Sequence, residues 1–186
     1  RLTVDDKYSW DFAMLGVGLR YINGVGKPDM LHYVESFGME GHYDFASNRG
    51  YIWSRTFPLL KRALLLGVGQ DNFAYAFPND DYVGKENCGF NEQIVTKPHN
   101  MYLQIWVQDG LPALLAFLAL YLLLFGRTIR KCFKKGKWNH SQKISLAFLC
   151  GVSGYFVAGL ANDSSICVAP VFWVLFGVAF AVLRSE

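Results

Sequence analysis

The run LPALLAFLALYLLLFG, Leu111–Gly126, holds sixteen residues without Asp, Glu, Lys or Arg, and a basic stretch, Arg127-Thr128-Ile129-Arg130-Lys131-Cys132-Phe133-Lys134-Lys135-Gly136-Lys137, follows it directly. A bilayer core about 30 Å thick needs roughly 20 apolar residues of helix. Residues 144–161 and 166–183 are likewise free of those four residue types. The pattern predicts a mainly α, polytopic integral membrane protein with a large extracytoplasmic loop region over 1–110. Three C-terminal transmembrane helices, at about 111–126, 144–161 and 166–183, make up the transmembrane region 111–186. Loops rich in Lys and Arg stay on the cytoplasmic side. That assigns the basic loop 127–143 to the inside, and 1–110 with the turn Asn162-Asp163-Ser164-Ser165 to the outside.

Composition agrees, because 52% hydrophobic and 18% charged residues is more apolar than a typical soluble domain, with about 25% charged. Residues 1–110 carry ten Lys and Arg against thirteen Asp and Glu, a net of −3, whereas 111–186 carry eight against two, a net of +6. The two halves face different solvents. Buried core helices of a soluble protein are the alternative, disfavoured because the basic stretch falls where a membrane topology requires it. The first span is short unless Tyr102–Gln108 forms an interfacial helix running into it, with Asp109-Gly110-Leu111-Pro112 as the joint. The chain opens at Arg1 directly into polar sequence, so we expect a C-terminal piece whose upstream helices complete any cavity.

Upstream, Tyr8–Tyr21 is moderately apolar and is expected as a short surface helix or the tail of a missing span. Residues 29–46 read as irregular loop with a short helix. From Ser47-Asn48, a candidate cap, Ile52, Trp53, Thr56, Leu59, Leu60 and Ala63 recur along one helix side, with a kink or division expected at Pro58. Arg49, Arg55, Lys61 and Arg62 lie on this helix. Guanidinium groups suit a diphosphate, though a solvated helix face or lipid headgroups would use the same cations. Leu66-Gly67-Val68-Gly69 reads as helix termination, since a lone GxG without a preceding strand is weak evidence for nucleotide binding. In the Gly/Asn-rich stretch 74–97, Tyr75, Phe77, Tyr82 and Phe90 suit either sugar stacking or anchoring of the loop. Cys88, Cys132, Cys150 and Cys167 make no CxxC or metal spacing.

Pro98-His99-Asn100-Met101-Tyr102-Leu103 places an imidazole just ahead of the first apolar segment. An imidazole titrates near neutral pH and is suited to taking a proton from a hydroxyl. Beside an anion clamp, this suggests glycosyl transfer from a lipid diphosphate. The bland alternative is a His that caps the interfacial helix or touches headgroups. His32, His42 and His140 have no partner pattern, and Asp163, at the outer end of two spans, could approach the site but reads first as a turn or cap residue.

These residues resemble the O-antigen ligase and O-antigen polymerase superfamily of bacterial envelope proteins. Three pieces carry the likeness: Ser47-Asn48-Arg49-Gly50-Tyr51-Ile52-Trp53; Pro58-Leu59-Leu60 with Leu66-Gly67-Val68-Gly69 and Phe73; and Pro98–Leu103 with Gly110. Their order over 47–126 makes the combination specific, and residues 1–46 add nothing to it. The resemblance implies an inverting membrane glycosyltransferase, polymerase or ligase, of the bacterial cytoplasmic membrane, with its active site on the outer face. Its partners would be an undecaprenyl-diphosphate-linked glycan and an acceptor glycan or lipid, with no nucleic acid, metal or other cofactor. His99 matches the family's catalytic His and Arg49 the loop arginine that contacts diphosphate. Arg55 is a neighbouring candidate, with Arg62 and Asn100 as further ones. Asn48 stands where a ligase often has Gly, so the local turn is open to difference. A polysaccharide transporter or flippase is the alternative class, disfavoured because few polar residues (Ser153, Tyr155, Asn162) lie within the spans.

Overall fold

The computed structural model describes residues 2–4, 8–16, 18–23, 26–89, 93–133 and 138–184. The chain forms two compact units, Arg1–Arg62 with Gln70–Pro98, and Ala63–Gly69 with His99–Glu186. The chain is mainly helical, as expected, but the first unit opens with a sheet.

In the first unit β1 (Leu2–Val4), β2 (Tyr8–Leu15), β3 (Gly18–Ile22) and β4 (Pro28–Asp29) form an antiparallel sheet in sequence order. The surface helix expected over Tyr8–Tyr21 is therefore corrected to a hairpin. Tyr8, Trp10, Phe12 and Met14 recur at every second position, the period of a strand, and the Leu15↔Gly18 register closes a two-residue connection. Gly18, the first residue of β3, has φ +107°, a conformation that glycine adopts without a Cβ penalty. Tyr21 is buried and packs on Tyr82 and Phe12, at ring-centroid distances of 5.0 and 6.0 Å.

α1 (Phe45–Arg62) follows an irregular stretch, with α2 (Phe73–Ala76) and α3 (Tyr82–Asn87) beyond it. Pro58 does not kink α1: only Ala46, Ser47 and Asn48 depart from helical dihedrals. Proline's missing N–H frees the carbonyl four residues earlier. That carbonyl, Ser54 O, instead accepts a 2.8 Å bond from the Phe37 N–H. The irregular segment thus takes up the hydrogen bond that the proline gave away. Phe90 and Lys134–Lys137, named in the sequence reading, lie outside the described residues.

The second unit contains α4 (Met101–Asp109), α5 (Leu111–Cys132), α6 (His140–Ala158) and α7 (Ala169–Arg184). The first apolar helix gains its length downstream rather than by absorbing α4. Gly110, at φ +94° and ψ 164°, separates α4 from α5, while α5 continues through Arg127, Arg130 and Lys131. Cations in a last turn suit the helix dipole, and the buried Lys131 ammonium donates to Ser141 Oγ at 2.7 Å and to Val182 O at 3.1 Å. It joins the end of α5 to the last turn of α7. Between the helices, Phe117, Phe156, Phe172 and Phe176 form the core, with Phe156 stacked on Phe117 and Tyr121 at 4.7 and 4.1 Å.

Among the described residues one helix, α5, is long and apolar enough to cross a membrane, and only 22% of its apolar stretch is buried within the chain. α7 is apolar but has 16 residues, and α6 opens on the polar His140-Ser141-Gln142-Lys143.

The Leu66–Gly69 segment both follows α1 and closes α4. Val68 and Gly69 N–H donate to Val107 and Gln108 O at 2.8 and 2.9 Å, meeting carbonyls that a helix end leaves without partners. At Gly110 a Cβ would lie 2.4 Å from Leu65 O. Gly110→Ala is therefore expected to cost more than the about 1–3 kcal/mol of its unusual dihedral alone. A drop in thermal unfolding midpoint checks this; an unchanged midpoint would show that the α4–α5 joint relaxes freely.

Candidate functional site

His99 stands at the head of α4. The Asn100 side-chain oxygen accepts from Tyr102 and Leu103 N–H, both at 3.0 Å, so Asn100 is the helix N-cap. Its amide donates to Leu160 O at 2.9 Å, Met101 N–H to Gly159 O at 2.8 Å, and the Tyr102 hydroxyl to Phe156 O at 2.6 Å. The start of α4 thereby satisfies carbonyls at the end of α6. This grip sets His99, at φ +52°, beside the turn that follows α6.

The turn supplies the partner. His99 Nδ1 lies 2.9 Å from Asp163 Oδ2, with the His side chain 48% exposed and the Asp side chain 11%. Asp163 is placed from two sides: Ser164 N–H donates to the buried Gln104 at 3.0 Å, and Ser164 Oγ meets the Tyr155 hydroxyl at 3.2 Å. A carboxylate at Nδ1 selects the tautomer with Nδ1 protonated, leaving Nε2 to accept a proton. The half-exposed ring keeps that nitrogen within reach of solvent. Asp163 Oδ1 is buried without a hydrogen-bond partner, so the pair retains an unused acceptor. Sequence reasoning gave Asp163 a turn role; only the docking of α4 against the end of α6 shows it facing His99. The signals available beforehand were polar Gln104 and Tyr155 within apolar helices.

The arginines belong to the first unit. Ala46, Ser47 and Asn48 form a left-handed turn, and Asn48, at φ 66° and ψ 11°, adopts the conformation a glycine would take. Asparagine is among the residues that tolerate it, and its amide donates to Cys88 O at 3.0 Å. At the next residue Arg49 Nη1 donates to Ala46 O at 2.9 Å, while Nε is buried without a partner. A buried guanidinium N–H left unsatisfied is costly. Gly50 follows because a Cβ there would meet His42 O at 2.1 Å.

Arg55 is placed differently. It is buried, with Nε 3.0 Å from Asp81 Oδ2 and Nη1 2.9 Å from Ser54 Oγ, and it sits over the rings of Tyr43 and Tyr51 at 4.7 and 4.4 Å. Asp81 also accepts from the Tyr51 hydroxyl at 2.9 Å and from Gly84 N–H at 3.0 Å. Burial first, and then the Asp81 charge, raise the Tyr51 pKa and keep the phenol protonated as a donor. Arg55 thus faces a protein carboxylate. Arg62 is exposed in the last turn of α1, where a cation complements the helix dipole. Tyr75 is exposed, whereas Phe77 is buried and Tyr82 packs on Tyr21, so these two hold the fold.

Beside this cluster Lys85 is buried, its ammonium donating to Asn79 O at 3.2 Å; burial lowers its pKa against the opposing pull of Asp81 and Asp80. The unfolded chain then holds that proton more tightly than the folded one, so stability rises with pH on approaching the ordinary Lys value. Relative to Lys85→Met, the wild-type unfolding midpoint is expected to climb as the pH is raised toward the ordinary lysine range. A flat difference would mean that the ammonium is solvated.

A helical chain with an outward apolar helix and a half-exposed His–Asp pair fits a membrane-associated protein with acid–base capability. The O-Antigen ligase family profile matches residues 11–118, and the chain belongs to that family. The match starts well upstream of the 47–126 motif region and takes in most of the sheet. The chain is accordingly an O-antigen ligase/polymerase-type membrane glycosyltransferase at the level of its family. No curated protein and no solved structure matches it.

Proposed function

We propose that this protein transfers glycan from an undecaprenyl-diphosphate-linked donor to an acceptor hydroxyl during O-antigen or surface polysaccharide assembly. The contact carrying this reading is His99 Nδ1 to Asp163 Oδ2 at 2.9 Å, which prepares Nε2 as a general base. His99 takes the proton of the acceptor hydroxyl as its oxygen attacks the anomeric carbon. The new glycosidic bond forms as the bond to diphosphate breaks, and attack from the opposite face inverts the centre. Arg49 offsets charge on the departing diphosphate, and the lack of a carboxylate partner for its guanidinium among the described residues supports that role. Arg55 holds the helix bearing Arg49 through Asp81, and Asn100 caps α4 behind His99. Arg62 takes the outer part of a longer phosphate or headgroup path. The chain is multi-pass in the bacterial cytoplasmic membrane, with this chemistry on its outer face; α5, α6 and α7 cross, and the basic stretch after α5 lies inside.

The test uses the full-length chain purified in lipid with a polyprenyl-diphosphate oligosaccharide and an acceptor glycan, in the presence of a chelator. Product with inverted anomeric configuration, seen by nuclear magnetic resonance, is expected, together with weaker donor use by Arg49→Ala. Donor that crosses vesicles without any new glycosidic bond would defeat this reading and identify a transporter.

A further inference from the structure

The opposite end of the α5–α7 bundle from the His99–Asp163 pair carries a separate concentration of charge. Arg127 and Arg130 on the last turns of α5, Lys143 on the first turn of α6 and Arg184 on the last of α7 are all exposed. Antiparallel packing of consecutive helices brings these three ends together, and buried Lys131 ties α5 to Val182 O at the same level. The sequence has no Asp or Glu between Leu111 and Asn162, or between Ser164 and Ser185. Nothing of opposite sign within those stretches neutralises the end. Two large aromatics stand exposed beside the cations, Phe133 at 81% and Trp138 at 48%. Amphipathic rings next to basic residues at the end of an apolar helix match the polarity gradient of a bilayer interface.

We infer that this basic and aromatic end is a binding surface for the headgroups of anionic phospholipids. The inference rests on the reading that α5–α7 lie in a bilayer. Cations near an anionic lipid surface contribute through its field rather than through one fixed geometry. Arginine and lysine would therefore serve alike, whereas a built site for a single phosphate would demand the planar arginine fork. The exposure of four cations on three helices, without carboxylate partners among the described residues, favours the surface.

The experiment uses the full-length chain in detergent micelles titrated with phosphatidylglycerol or phosphatidylcholine, with bound lipid counted by native mass spectrometry. Resistance of the chain to carbonate extraction from membranes is measured first. Release by carbonate would overturn the bilayer reading, and with it this one, before any lipid is compared. Wild type is expected to retain phosphatidylglycerol preferentially, and less so as salt rises. Each cation contributes about fivefold at such a surface, so Arg127→Gln/Arg130→Gln/Lys143→Gln loses on the order of a hundredfold of the preference. Arg127→Lys/Arg130→Lys keeps it, and glycerol phosphate in solution does not compete. A preference that survives the glutamine variant, or one that the lysine variant or free glycerol phosphate abolishes, overturns the inference.

Discussion

His99→Ala is expected to remove glycan transfer almost completely while leaving insertion and folding intact. A positioned base contributes about 10²–10⁴-fold, and the ring is half-exposed beyond its contact with Asp163, so its loss disturbs little packing. The measurement is polymer length on cells expressing the variant, together with turnover of purified protein. Asp163→Asn separates catalysis from architecture, because it keeps the turn and its size but withdraws the charge that selects the Nδ1-protonated ring. A loss of about 10²-fold or more in kcat, with donor KM little changed, is expected by the logic of acid-oriented histidines. Near-normal polymer in His99→Ala would end the proposed mechanism. Wild-type turnover in Asp163→Asn would reduce the pair to a structural contact. Loss of long chains with single repeats still attached would mark a polymerase, and loss of all attachment a ligase.

Asp81→Ala should give the largest stability loss in the first unit. It leaves the Arg55 charge buried between Tyr43 and Tyr51, and removes the acceptor of the Tyr51 hydroxyl and of Gly84 N–H. Breaking one side of a buried pair typically costs about 3–5 kcal/mol, whereas replacing both partners with apolar groups of similar volume is often near neutral. Unfolding of Asp81→Ala and of Arg55→Met/Asp81→Leu compares the two cases. The double variant is expected to be the more stable of the two. A single-variant loss under about 1 kcal/mol would show the pair to be solvated, since exposed ion pairs contribute about that much or less.

Much of the helical layout was legible in the residues, because a run such as Leu111–Gly126 admits few alternatives to helix, and Pro112 marks its start. His99 and Arg49 were likewise visible through local motifs. Where the reading failed, it failed on partners distant in the chain. Tyr8–Tyr21 alternates with a strand's period, yet its apolar content also suits a surface helix; pairing with a neighbouring strand decided it. Pro58 signals a break by itself, and it caused none because Phe37 N–H took the freed carbonyl. The helix beginning at Leu111 was read as ending near Gly126, but the contacts of Lys131 with Ser141 and Val182 carry it further.

Composition and period were enough to define the class of chain: apolar helices flanked by cations, an imidazole ahead of the first, and an arginine near a helix start. These are local properties, set by composition, period and the dihedral preferences of a few residues. Tertiary structure alone decided which charges meet. Asp163 lies 64 positions beyond His99 and Asp81 lies 26 beyond Arg55, separations at which no local preference acts. Only packed helix ends, held by hydrogen bonds between distant segments, bring such groups to within 3.0 Å.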